Sequence, residues 1–108
     1  IQELEISSWP VYLVLRNTGK AVSMWYQVSL DSSCTLGFEA PDESCWKNRM
    51  SVFTSNGKHP LFPNENFRLW RVEREHYPLE SKKWTIDYTI VSLKEEKKWG
   101  SLILRLVN

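Results

Sequence analysis

The stretch Val11–Leu30, VYLVLRNTGKAVSMWYQVSL, decides the fold class. Two apolar runs stand on either side of a polar break, Asn17-Thr18-Gly19-Lys20. Asn and Gly both accept unusual backbone angles at little cost, so the break reads as a turn. The second run alternates. Val22, Met24, Tyr26, Val28 and Leu30 fall in one phase, and Ser23, Trp25, Gln27 and Ser29 in the other. Successive strand side chains point to opposite faces, so this pattern predicts a half-buried antiparallel strand. The first run, Val11–Arg16, is apolar at nearly every position, as an interior strand covered on both faces would be. Together they predict a hairpin: an interior strand, a tight turn, and a partner with one wet face that carries Trp25 outward.

The rest of the chain follows the same period. Glu3–Ile6 alternates and reads as an edge-like first strand, broken by Ser7-Ser8-Trp9-Pro10 because Pro10 has no N–H to donate. Cys34–Phe38 and Met50–Phe53 read as short strands, with the acidic, Pro-bearing segment 39–49 between them as a loop. Thr54–Asn66 is dense in turn formers (Asn56-Gly57, Pro60, Pro63) and predicts a long surface loop. In Phe67–Pro78 the apolar phase slips between Leu69 and Trp70. A strand with a bulge explains the slip, and a short helix capped by Asn64 or Asn66 is the alternative. Trp84–Leu93 is the cleanest strand, with Trp84, Ile86, Tyr88 and Ile90 in one phase. Lys94–Gly100 reads as a charged tip, and Ser101–Val107 as the last strand. About seven short strands, regular turns and no long helix predict a single all-β domain: an antiparallel β-sandwich, or else a small β-barrel.

The totals agree with one globular domain. The chain has 108 residues, 42% of them hydrophobic, with 25% charged. It has 14 basic and 13 acidic side chains, a net charge of +1, and therefore no general pull toward nucleic acid or an anionic membrane. No apolar run reaches the length of a membrane helix. The opening IQELEISSWP has neither an initiator Met nor the layout of a signal peptide, which leads to the expectation of a mature chain or an excised domain. Cys34 and Cys45 are either one disulfide closing a short loop or two thiols.

Two longer segments, VYLVLRNTGKAVSMWYQVSL…FEAPDES and PLFPNENFRLWRVEREHYPLESKKWTIDYTIVSL, give the chain an element order that resembles Ig-like sandwiches of the PapD and major-sperm-protein type. The resemblance spans most of the chain at the level of pattern and carries over no functional residue. It implies an Ig-like fold and an interaction or adhesion role. The antibody arrangement of two Cys with a Trp between the sheets is absent, because Cys34 and Cys45 are too close in sequence.

Chemistry-bearing patterns are sparse. His59, His76, Cys34 and Cys45 match no zinc spacing, and four glycines leave no phosphate-cradling loop. Neither a catalytic residue nor a cofactor is expected. Six Trp are more informative. Trp25, Trp46 and Trp99 sit in polar contexts and are the candidates for exposure, with cover by a second element the equal alternative for Trp25; Trp9, Trp70 and Trp84 are expected to be buried. A large rigid ring binds at low entropy cost, so exposed Trp marks protein or glycan contact. His59 and Phe62 in the Pro-rich loop, with Arg68 and Arg71 after it, complete the candidate binding set. The basic–aromatic clusters around Trp70, Trp84 and Trp99 could instead grip single-stranded nucleic acid, but acids interrupt each of them, as cross-strand Arg–Glu pairs would. The expected role is a non-catalytic module for a protein partner. A carbohydrate-binding module, a protease-inhibitor loop and an OB-like nucleic-acid binder are the alternatives.

Overall fold

The computed structural model describes residues 2–31, 36–41, 44–47, 50–74, 82–93 and 95–107. Among these, nine strands form: β1 (Gln2–Ile6), β2 (Val11–Arg16), β3 (Tyr26–Asp31), β4 (Leu36–Glu39), β5 (Ser44–Lys47), β6 (Met50–Thr54), β7 (Asn66–Arg74), β8 (Lys83–Ser92) and β9 (Glu95–Leu106). They make a six-stranded sheet, β1-β9-β8-β3-β6-β5, and a three-stranded sheet, β2-β7-β4. The fold is all-β with two open sheets, a sandwich and not a closed barrel. Among the described residues no helix is long and apolar enough to cross a membrane.

Alternation decides which face of each sheet turns inward. On the large sheet Leu104, Trp84, Ile86, Val28, Leu30, Tyr26 and Phe53 point to the core; on the small sheet Leu13, Trp70, Val72 and Leu36 do. Trp70 is 1% exposed, and its indole N–H donates to the buried Ser51 hydroxyl at 2.8 Å. That bond ties β7 of one sheet to β6 of the other. Phe67 and Phe53, with ring centroids 5.4 Å apart, span the same gap. Burying so many large apolar side chains, each worth about 1.5–3 kcal/mol, is what holds the layers together.

The phase slip in β7 is a bulge. Leu13 pairs with Trp70 while Val14 pairs with Arg68, which leaves Leu69 as an extra residue. Both Leu69 and Trp70 can then face the core, and both are buried. Residues 66–74 are therefore strand, not helix.

Several expectations are corrected. Val11–Arg16 and the alternating run do not form a hairpin. β2 lies in the small sheet beside β7, and β3 lies in the large sheet between β8 and β6. The chain between them is a crossover, held open by the Asn17 amide, which donates to the carbonyls of Ala21 and Leu61. β2 is an edge strand, not an interior one, with Tyr12 and Val14 exposed. Val22 and Met24 are also exposed, because pairing begins only at Tyr26. The segment expected as loop after β4 contains β5, paired with β6. The expected charged tip is largely the start of β9. β1 pairs in parallel with β9, so the sheets are not wholly antiparallel. Trp9 is half-buried, edge-on to Trp84 at 5.4 Å.

Candidate functional site

One end of the sandwich gathers the connections. The crossover 17–25 and the loop 55–65 meet there, at the same end as Leu93 just after β8, because Tyr26 at the start of β3 pairs with Ser92 at the end of β8 and Gln27 pairs with Thr54. The loop is anchored rather than loose. Ser55 is fully buried: its hydroxyl donates to the Met24 carbonyl at 2.8 Å and accepts from the Tyr26 amide at 3.0 Å. Ser23 and Leu61 exchange two backbone bonds, and Leu61 is buried. Asn17 accepts from the Asn64 amide and donates its own amide to Glu65. The Tyr26 hydroxyl donates to the His59 carbonyl at 2.7 Å, and burial pushes the Tyr26 hydroxyl pKa up. Asn56, Gly57 and Asn64 take left-handed backbone angles, as turn residues of these types tolerate.

On this fixed frame the apolar side chains Val22, Met24, Trp25, Phe62 and Leu93 are exposed. Trp25 is 49% exposed, and its ring lies so close to Gly57 that an added Cβ there would stand 3.0 Å from it. The ring thus packs against the turn at Gly57 while about half of the residue stays exposed. Fixed, exposed aromatic surface of this kind is characteristic of contact sites.

The other expected residues lie apart from this cluster. His59 belongs to the same loop, but its ring packs against Phe53 and Phe67 at 5.7 and 5.2 Å, so it supports the loop and is not a free surface histidine. Trp99 is 73% exposed on the outer face of the large sheet, opposite Thr89, four positions in from the turn. Trp46 stands on β5 opposite Ser51 in the register, on a strand where a loop was expected. Arg68 lies over the Tyr12 ring at 4.0 Å on the outer face of the small sheet. Arg71, on that face too, pairs with Glu73 at 2.7 Å and with Glu39 across the strands at 3.8 Å. The Glu73 hydrogen bond, then one to Tyr12, pushes its pKa further up. Cys45 is exposed and has no disulfide partner among the described residues; Cys34 and His76 lie outside them. Among the described residues no three His, Cys, Asp or Glu side chains are placed to share a metal ion.

A second feature was not visible in the sequence. Between the sheets lies a cavity of about 400 Å³, open on one side. Its floor is Val28, Leu30, Tyr88, Ile90 and Leu102 of the large sheet, and its roof is Leu69 and Trp70 of the small one. The floor strands contribute alternate residues, as a wall seen face-on must. β2 contributes four consecutive residues, Leu13 to Arg16, so there the wall is the strand's free edge. Three strands do not cover six, and the cavity lies where cover ends.

No family model, curated protein or solved structure matches this chain.

Proposed function

We propose that this domain is a non-catalytic protein-binding module whose contact surface is the loop end of the sandwich. The observation that supports it is the grouping of Trp25, Phe62, Met24 and Val22, exposed yet seated on a hydrogen-bonded frame. Pre-ordered apolar side chains lose little freedom on binding, so most of the burial energy is retained. The pattern resemblance to PapD and major-sperm-protein sandwiches, which mostly serve as interaction modules, points the same way. A glycan platform calls for two or three coplanar rings. Beside Trp99 the register places Thr89, Ser29 and Ser101 instead, which favours the protein reading. Nucleic-acid stacking is less favoured because the Trp70 and Trp84 rings are buried.

A photo-crosslinking amino acid at position 25 or 62 tests the proposal. Both positions are expected to trap the same discrete protein, and position 85, on the outer face of the large sheet, is expected to trap none. Equal trapping from all three positions, or none from 25 and 62, would refute it.

A further inference from the structure

We propose that the inter-sheet cavity is a binding site for an amphiphile with one unbranched apolar tail and an anionic head. This site adjoins the loop end through Thr18 but includes none of Val22, Met24, Trp25 and Phe62, and it does not depend on their role. The volume of about 400 Å³ lies within the range of small-molecule pockets, roughly 300–1,000 Å³. The deep lining is apolar: Leu13, Val28, Leu30, Leu69, Trp70 and Ile90. Trp70 offers no free polar atom to it, since its N–H is taken by Ser51. Water in such a space gains few hydrogen bonds, and a hydrocarbon chain recovers the dispersion contacts that the lining lacks.

The open side has different chemistry. Gln2, Arg16 and Thr18 are the exposed polar members of the lining, beside the exposed Val14. Arg16 is the one formal charge among the lining residues, and it forms no ion pair among the described residues. A guanidinium matches a carboxylate in a two-pronged, charge-assisted hydrogen bond. An apolar interior with a cation at its mouth fits a carboxylate-headed chain and disfavours a cationic one.

The free edge of β2 could in principle pair with an extended peptide instead. Depth argues against that occupant. The cavity runs beneath β2 as far as Leu30 and Trp70, whose buried side chains close its inner end. A strand added beside β2 would cover the opening and leave that depth unfilled, whereas a single alkyl chain can thread into it.

The test is a titration of the full chain with sodium dodecanoate below its micelle concentration, followed by two-dimensional NMR at the Trp70 indole N–H. Dodecyltrimethylammonium and an alternating Val/Thr hexapeptide serve as comparators. The expected result is saturable one-to-one binding of dodecanoate, a shift of the Trp70 signal, and at least tenfold weaker binding of the cationic surfactant. Arg16→Gln is expected to weaken dodecanoate about five- to tenfold without moving the melting temperature of the free protein. Leu15→Trp and Leu102→Trp fill the cavity from opposite sheets, and whichever folds is expected to abolish the Trp70 shift. Three results would overturn the site: no saturable dodecanoate binding, equal binding of both surfactants, or a response of Val11–Arg16 to the peptide with none to dodecanoate.

Discussion

Removing the Ser51 hydroxyl is the sharpest probe of how the sheets meet. Ser51→Ala changes the side-chain volume little, but it leaves the Trp70 indole N–H without its acceptor. That donor is 1% exposed and bonded at 2.8 Å. A buried donor left unsatisfied costs about 1–3 kcal/mol. For a domain of this size each kcal/mol lowers the melting temperature by about 4–8 °C, so a fall of roughly 5–20 °C is expected. The assay is a double-mutant cycle by thermal and urea unfolding, with Trp70→Phe as the second change. Phe has no N–H to strand, so in that background Ser51→Ala should cost less than about 0.5 kcal/mol. The coupling should then be about 1–2 kcal/mol, as for residues in direct contact. An equal cost in both backgrounds would refute the claim that this bond joins the two layers.

Three other perturbations follow from specific contacts. A Cβ on Gly100 would lie 2.7 Å from the Tyr88 hydroxyl oxygen and 2.9 Å from its Cζ, so Gly100→Ala should destabilise by about 1–3 kcal/mol, and by clearly less when Tyr88 is also Ala, measured by urea unfolding. Asn17→Ala removes the amide that holds both the crossover and the Leu61 carbonyl; a loss of about 1–2 kcal/mol and faster hydrogen exchange at the Ser23 and Leu61 amides are expected. Burial raises the Tyr26 pKa, so the folded chain holds that proton more tightly than the unfolded one. Its contribution is complete below the ordinary tyrosine value of 10.0 and is lost as pH rises through the higher folded value. Stability should therefore fall as pH rises above 10.0 in the parent, level off past the folded value, and show a shallower fall in Tyr26→Phe, read by circular dichroism across the alkaline range.

Much of the fold is legible in the sequence because a period of two states which side chains turn inward. It finds β1, β6, β7 and β8, and the slip at Leu69–Trp70 even marks the bulge. The same period says nothing about which strand is the neighbour. Asn17-Thr18-Gly19-Lys20 looked like a hairpin turn, but the Asn17 amide is spent on Leu61 and the chain crosses to the other sheet. β5 was missed because a four-residue edge strand is held by backbone pairing to β6, which leaves little side-chain pattern. The start of β9 was missed because Lys97, Lys98 and Trp99 are all exposed, so no apolar alternation is imposed there. The exposure of Trp99 follows from its charged surroundings and that of Trp25 from its place in the polar phase, whereas the exposure of Phe62, the meeting of Trp25 with Gly57, and the cavity under β2 arise only from tertiary packing.

Inter-strand nuclear Overhauser contacts of Val11–Arg16 test the layered arrangement most directly. Backbone contacts pairing Val11 with Val72, Leu13 with Trp70 and Leu15 with Phe67 are predicted, with none from this strand to Tyr26–Leu30. Backbone contacts between Val11–Arg16 and the alternating run after Lys20 would place both strands in one hairpin, and would contradict the two-sheet assembly on which the loop-end surface and the cavity depend.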